Sequence, residues 1–206
     1  LPVTARGSGT DQAGGALGDG VILALPAHMN KILSLDAKTG SVTVQPGLNY
    51  RSLQNTLNTH GLFLPPHPSS IDYCTIGGSI ANNAAGVRTI KYGDTRQMVK
   101  ALDVVLANGD TISTGRLSKR ELAKKKSLGT FEGEIYRQVD SLIHESEAIL
   151  DQADPETNKN SSGYALSKVV DKDGSFDLTP LFVGSQGTLG VVTAAELQSQ
   201  PHNMQN

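Results

Sequence analysis

Gly184-Ser185-Gln186-Gly187-Thr188-Leu189-Gly190 sets three glycines and two hydroxyl side chains between two apolar stretches, Leu181-Phe182-Val183 and Val191-Val192. The flanking stretches read as strands, and the loop between them makes a poor hydrophobic core. It makes a good surface for a flat, polar ligand. A missing Cβ lets the ligand approach the backbone, and the freed N–H groups become donors. Working outward, Arg6-Gly7-Ser8-Gly9-Thr10 lies near the start of the chain and Thr75-Ile76-Gly77-Gly78-Ser79 between the two. Three loops of glycine and hydroxyl imply one long ligand touched at several points.

The chain has 206 residues, enough for one domain with a real core. A formal net charge of -2 offers no basic surface for nucleic acid and no excess that would keep the chain unfolded. Aromatic residues are 4% with no tryptophan, which argues against stacking on single-stranded nucleic acid. One cysteine, Cys74, excludes an internal disulfide and a cysteine-ligated zinc or iron–sulfur site within the chain, and suits a reducing compartment. The apolar runs are too short to span a bilayer, and no signal peptide is visible. The sequence opens at Leu1, on residues that read as a strand, and is expected to be a fragment of a longer protein.

Residues 1–5 read as a strand feeding the first glycine loop, and residues 21–25 as a continuous apolar strand of the buried type. Residues 32–35 and 41–45 pair as a hairpin across a turn at 36–40. Residues 49–60 form an amphipathic helix, with Asn49 as N-cap and Gly61 as the stop. The prolines of 65–70 exclude regular structure, and residues 79–85 form one or two helical turns. Strands at 100–107 and 110–113 meet at Asn108-Gly109, a strong hairpin signal. Residues 116–126 are basic, with Lys124-Lys125-Lys126 read as an exposed face. Residues 131–150 form the longest helix, with Ile135, Val139, Leu142, Ile143, Ile149 and Leu150 as its buried stripe, closed before Pro155. The last strands are 181–183 and 190–196, and after Gln200 the tail is polar and frayed. Antiparallel hairpins without regular strand–helix alternation make this an α+β fold, a mostly antiparallel sheet flanked by helices.

The first loop invites comparison with the dinucleotide fingerprint GxGxxG, but the third glycine position holds Gln12 and no long βαβ unit follows. A backbone nest suits it better: consecutive N–H groups from Gly7 to Thr10 hold an anion, helped by the Thr10 hydroxyl and the charge of Arg6. A plain glycine-rich turn is the alternative. Asp11 bears on the choice. A carboxylate about 4 Å from a phosphate costs about 4 kcal/mol at an effective dielectric of about 20, more than the about 1–2 kcal/mol of a favourable anion site at a helix end. Asp11 must therefore turn away or cap local backbone, or the loop holds no phosphate. Gly77-Gly78 would bring N–H groups from a second side, or serve close packing of a short helix. Asn82 and Asn83 can donate and accept, or cap that helix.

Taken in order, these pieces resemble the FAD-linked oxidase family, the fold of vanillyl-alcohol oxidase with its PCMH-type FAD-binding domain. The resemblance runs through Arg6 to Thr10 with Gly14-Gly15-Ala16, Val44-Gln45-Pro46-Gly47, Pro65-Pro66-His67-Pro68-Ser69-Ser70 and Thr75 to Gly78. It continues through Asn82-Asn83-Ala84-Ala85-Gly86, Tyr92-Gly93-Asp94-Thr95 and Gly184 to Gly190. It covers residues 1–197, leaving 198–206 as the tail. The branch it most resembles holds D-lactate, glycolate and D-2-hydroxyglutarate dehydrogenases. Lys159-Asn160-Ser161-Ser162-Gly163-Tyr164 is similar to a loop of members that also carry iron–sulfur modules.

The resemblance implies a flavin-dependent oxidoreductase acting on a small 2-hydroxy acid, in which this chain supplies a subdomain of the FAD site. Non-covalent FAD would lie extended, its pyrophosphate on the N–H groups of Gly7, Ser8, Gly9 and Thr10, near Arg6 and Asp11. Thr75, Gly77, Gly78, Asn82, Asn83 and Gly86 would line the cofactor, with Gly184, Ser185, Gly187, Thr188 and Gly190 opposite. Val191 would stand near the adenine half and Pro66 and Ser70 beside the flavin. Catalytic residues, the substrate domain and an iron–sulfur or quinone acceptor would lie outside this chain, in a protein that is cytoplasmic or peripheral to the membrane. Family loops usually carry a small neutral residue at Asp11, and often an acid at His67 and Gln186. His28, His67 and Cys74 are candidates for covalent linkage, but none sits in a linkage motif. Lys91 and Tyr92 would reach the flavin edge or pack inside. The same fold also serves reductases and electron-transfer modules, and the loops by themselves also suit a non-enzymatic anion- or nucleotide-binding module.

Overall fold

The computed structural model describes residues 1–153, 157 and 159–202. In chain order the strands are β1 (Val3–Arg6), β2 (Val21–Ala24), β3 (Ile32–Asp36), β4 (Ser41–Val44), β5 (Leu62–Phe63), β6 (Val99–Val105), β7 (Thr111–Ser113), β8 (Val191–Gln198) and β9 (Gln200–Pro201). The helices are α1 (Tyr50–Thr59), α2 (Ile76–Ala81), α3 (Thr89–Tyr92), α4 (Thr95–Met98), α5 (Lys119–Lys126), α6 (Phe131–Glu145), α7 (Glu147–Ala153) and α8 (Thr179–Phe182). The main sheet has five antiparallel strands in the order β3-β4-β8-β6-β7. A parallel pair β1-β2 and an antiparallel pair β5-β9 flank it. The α+β architecture expected from the sequence is the one observed.

Alternation places the core. Val42 and Val44 of β4 are fully buried, while Ser41 and Thr43 are not. Val42 pairs with Leu197 of β8, and Leu102 of β6 pairs with Ala195, so both neighbours of β8 add to one apolar layer. Leu53 and Leu57 of α1, and Ile76 and Ile80 of α2, close over it. Each such side chain contributes about 1.5–3 kcal/mol by leaving water. Helix α1 starts where the sequence reads: Asn49 Oδ1 accepts from Ser52 N–H at 3.1 Å.

Several expectations are corrected. The apolar run at 21–25 forms β2, but Val21, Ile22 and Leu23 are exposed, because β2 pairs only with β1 and no described layer covers the pair. Residues 181–183 are not a strand. Pro180, in the first turn of α8, lacks the N–H that a ladder needs and has its φ preset for a helix start. The long helix breaks at Ser146, whose N–H bonds back to Leu142 and Ile143 carbonyls, giving α6 and α7. Of the expected stripe Ile143 is buried and Ile135, Val139 and Leu150 pack partly buried against the core beside Tyr136, while Leu142 and Ile149 face solvent. The expected stop before Pro155 lies outside the described residues. The basic stretch contains α5, started by a capping box in which Ser118 and Glu121 satisfy each other's backbone N–H. Lys125 and Lys126 are not a free face: they pair with Glu132 and Asp140 of α6. Helix α2 begins at Ile76, ahead of the expected 79, because the Thr75 hydroxyl caps it. Just after Gln200 the chain is not frayed: Pro201 of β9 pairs with Leu62 of β5, and His202 N–H donates to Gly61 O at 2.8 Å. Residues 203–206 lie outside the described residues. Among the described residues no helix is long and apolar enough to cross a membrane.

Candidate functional site

The three glycine loops meet. A cleft of about 780 Å³ is lined by Gly7, Ser8, Gly9, Thr10 and Asp11 from the first, by Thr75, Gly77, Gly78 and Asn82 from the second, and by Ser185, Gly187 and Gly190 from the third. Leu25, Pro46, Ile80, Phe182 and Val192 give this chamber an apolar inner wall. A second chamber of about 820 Å³ shares Thr10, Asp11, Gly78, Asn82 and Gln186 with it and adds Gln12, Pro68, Ser70, Cys74, Ser79, Lys159 and Ser161. The two form one elongated trough.

The first loop has the chemistry of a nest. Among the described residues, the N–H groups of Gly7, Ser8, Gly9 and Thr10 have no acceptor in the protein. Four adjacent unsatisfied donors at a cleft are what an anion neutralises. Gly9 has a φ of +73°, the left-handed conformation that a nest uses, and a Cβ there would stand 2.6 Å from Arg6 Nη2. Arg6 thus sits beside the nest without lining the trough. The Asp11 carboxylate accepts from Gly15 N–H at 2.8 Å, so it caps local backbone, one of the two outcomes the sequence allowed.

The second loop contributes differently from the expectation. Gly77 N–H donates to Pro46 O at 2.7 Å and Gly78 N–H to Thr75 Oγ1 at 3.2 Å, so neither amide is left for a ligand. Their contribution is room: a Cβ on Gly77 would meet Pro46 Cβ at 2.6 Å. In the third loop, Gly184 N–H and Gln186 N–H bond the carbonyls of Ile80 and Ala81 at 2.9 and 3.0 Å, fixing it to the end of α2. Gly187, at a φ of +77°, keeps its amide without a protein acceptor among the described residues.

Several expected ligands stand back from the trough. Asn83 is fully buried, donating to Asp94 Oδ2 at 2.6 Å and accepting from Arg96 N–H at 3.0 Å. Gly86 packs under the His67 carbonyl, and Pro66 is buried, its carbonyl accepting from the Tyr50 hydroxyl. Gly184 lies against Arg96 and Asn83, and the Thr188 hydroxyl bonds Ser185 O at 2.6 Å. Val191 pairs with Val105 of β6, and strand alternation gives the cleft its neighbour Val192 instead. Tyr92 packs edge-on against Phe63, and neither Tyr92 nor Lys91 lines a chamber. Of the covalent-linkage candidates, Cys74 alone lines the trough. It is buried, which pushes its thiol pKa up and leaves it a poor nucleophile. Phe182, Val192, Gln186 and Lys159 are lining residues outside the expected set. Period-based reading carries no signal for them, since they reach the trough through tertiary contact.

The fit to FAD rests on this geometry: an apolar chamber edged by four free amides, with Thr10, the last of them, also reaching the adjoining polar chamber. The glycolate oxidase subunit GlcD of Bacillus subtilis (strain 168) is 37% identical over 202 residues, covering 98% of this chain and 32% of the relative. A D-2-hydroxyglutarate dehydrogenase of Pseudomonas putida is 32% identical, covering 98% of this chain and 20% of the relative. This chain therefore spans a third or less of the length of these relatives. The solved structure of an alkyldihydroxyacetonephosphate synthase shares the fold, with a TM-score of 0.61 at 18% identity over 97% of this chain and 29% of that one. The family described as FAD binding domain matches residues 1–115, more than half of the chain and the part that holds both the nest and α2, and the chain belongs to that family.

Proposed function

We propose that residues 1–197 are the FAD-binding part of a flavin-dependent dehydrogenase or oxidase that acts on a small D-2-hydroxy acid such as lactate or glycolate. The carrying observation is the run of four acceptor-free amides, Gly7 to Thr10, that lines the apolar chamber and meets the polar one at Thr10. In this reading the nest holds the pyrophosphate, with Arg6 adding charge. Leu25, Pro46, Phe182 and Val192 enclose the adenine half and exclude water from it. Ser70, Ser79, Gln186 and Lys159 surround the flavin half. Bound FAD supplies a two-electron acceptor for hydride from the substrate α-carbon. The chain's residues bind and orient, and none is assigned a catalytic step. The relatives named glycolate oxidase subunit and D-2-hydroxyglutarate dehydrogenase support the substrate class. Electrons would leave to an iron–sulfur or quinone acceptor, in a cytoplasmic or membrane-peripheral protein.

Titration of the chain with FAD, followed by flavin fluorescence and absorbance, tests the reading. Saturable but weak binding is expected, because β2 leaves one side uncovered. No binding by a folded chain would refute it. The apolar chamber and nest would also suit a bare nucleotide, so ADP is the discriminating competitor. ADP binding as tight as FAD would favour a nucleotide-binding module without flavin.

A further inference from the structure

A buried polar cluster stands behind the second chamber. Asn83 is fully buried and held in the left-handed region at a φ of +45°, and Asp94 is also buried. Asn83 Nδ2 donates to Asp94 Oδ2 at 2.6 Å, and Asn83 Oδ1 accepts from Arg96 N–H at 3.0 Å. The Arg96 guanidinium then reaches two other segments. Nη2 donates to the carbonyl of Val183, directly before the third glycine loop, at 3.0 Å, and Nη1 to the carbonyl of Asn160 at 3.2 Å. Asn83 Nδ2 lies 3.4 Å from that same Asn160 carbonyl. One cluster thus ties the loop after α2, the entry to the third loop and the segment 159–164 into a common frame. Tyr164 Oη, 2.8 Å from Thr188 Oγ1, pins the far end of that segment.

Between these ties Lys159 and Ser161 line the second chamber. Among the described residues its charged lining is Lys159 and Asp11, and the Asp11 carboxylate is engaged with Gly15 N–H. Lys159 makes no ion pair with a described residue. A four-carbon side chain on exposed backbone would wander, but its neighbour Asn160 is held by two donors from the buried cluster.

We propose that Lys159 is the electrostatic partner of the redox-active end of the cofactor and that Arg96 is the positioning residue that holds it there. This rests on the second chamber being the seat of the flavin half. Reduction brings two electrons and one proton to the ring, so the ring gains one negative charge. The Lys159 ammonium transfers nothing and favours the more negative form through its charge.

The test is the midpoint potential of FAD bound to the full chain, read by absorbance during dithionite reduction against a reference dye. Lys159→Gln should lower the preference for reduced over oxidised FAD about tenfold, about 30 mV for a two-electron couple. Lys159→Arg should restore it. Arg96→Lys keeps charge but loses the fork. It should lower the potential in the parent and add nothing in the Lys159→Gln background, since residues acting through one another are non-additive. Tyr164→Phe, which cuts the other tie without touching the buried cluster, gives the same comparison should Arg96→Lys fail to fold. An unchanged potential in a Lys159→Gln chain that still binds FAD overturns this inference and leaves the proposed function standing. An equal drop from Arg96→Lys in both backgrounds overturns its positioning role. A parent chain that binds no FAD overturns both readings together.

Discussion

Gly9→Val strikes the nest where it is tightest. Gly9 holds a φ of +73°, and a Cβ would lie 2.6 Å from Arg6 Nη2 and 3.1 Å from Arg6 Cζ. The variant has two ways out. It can keep the left-handed backbone, at about 1–2 kcal/mol for an L-residue. Or it can relax, turn a donor away and forfeit a charge-assisted hydrogen bond worth about 1.5–3 kcal/mol. Either way the Arg6 guanidinium must move off, which removes an exposed ionic contribution of up to about 1 kcal/mol. With the Arg6 loss the second route amounts to about 1.5–4 kcal/mol, which is FAD binding weaker by about 10- to 700-fold, while the strain of the first route falls on folding stability. The assay is flavin fluorescence quenching, with circular dichroism to establish that the fold survives. Gly14→Ala is the matched control. Gly14 also has positive φ, at +85°, but a Cβ there meets nothing within 4 Å, and it lines neither chamber. It should bind FAD within about threefold of the parent, a change of well under 1 kcal/mol. A folded Gly9→Val chain that binds FAD as the parent does would remove the nest from the reasoning.

Asp11→Asn keeps an acceptor for Gly15 N–H and deletes a negative charge beside the nest, so FAD binding should tighten by about 3- to 10-fold, more at low salt; weaker binding would contradict the placement of the pyrophosphate. The Cys74 thiol is 4% exposed and its pKa is pushed up by burial, so labelling with a disulfide reagent should be slow near neutral pH and slower with FAD bound. Equal rates with and without FAD would argue against the second chamber as the flavin seat. Asn49→Ala removes the N-cap of α1 and the 3.0 Å bond from Asn49 Nδ2 to Asp72 O, and should cost about 1–2 kcal/mol in urea unfolding without altering FAD affinity.

Local signals in the sequence were enough for the parts of the fold that rest on local chemistry. Asn108-Gly109 and the turn at 36–40 specify their hairpins because the turn residues themselves set the backbone. Asn49 and Gly61 bound α1 for the same reason. The stretch 181–183 reads as a strand because three apolar residues carry no period, whereas Pro180 makes it a helical turn. The exposure of β2 was illegible because an apolar run reports what its side chains prefer, not whether a neighbour is there to cover them. In the site, glycine and hydroxyl composition marked the three loops correctly. It gave no information on which amides were already spent, as those of Gly77 and Gly78 are on Pro46 and Thr75. Nor does it disclose Lys159, whose place depends on its neighbour Asn160 and so on Asn83, 77 positions from Asn160 along the chain.

The position of β8 has a consequence for how the protein is made. It lies between β4 and β6, yet it is the last long strand of the sequence, and the third glycine loop runs directly into it. A chain emerging from the ribosome therefore leaves β4 and β6 without their shared neighbour until nearly all of these residues have been synthesised. The hydrogen-bonded centre of the sheet and the third wall of the trough close together, late, across a wide sequence separation. Flavin loading is then a step that follows translation of this region rather than one that guides it.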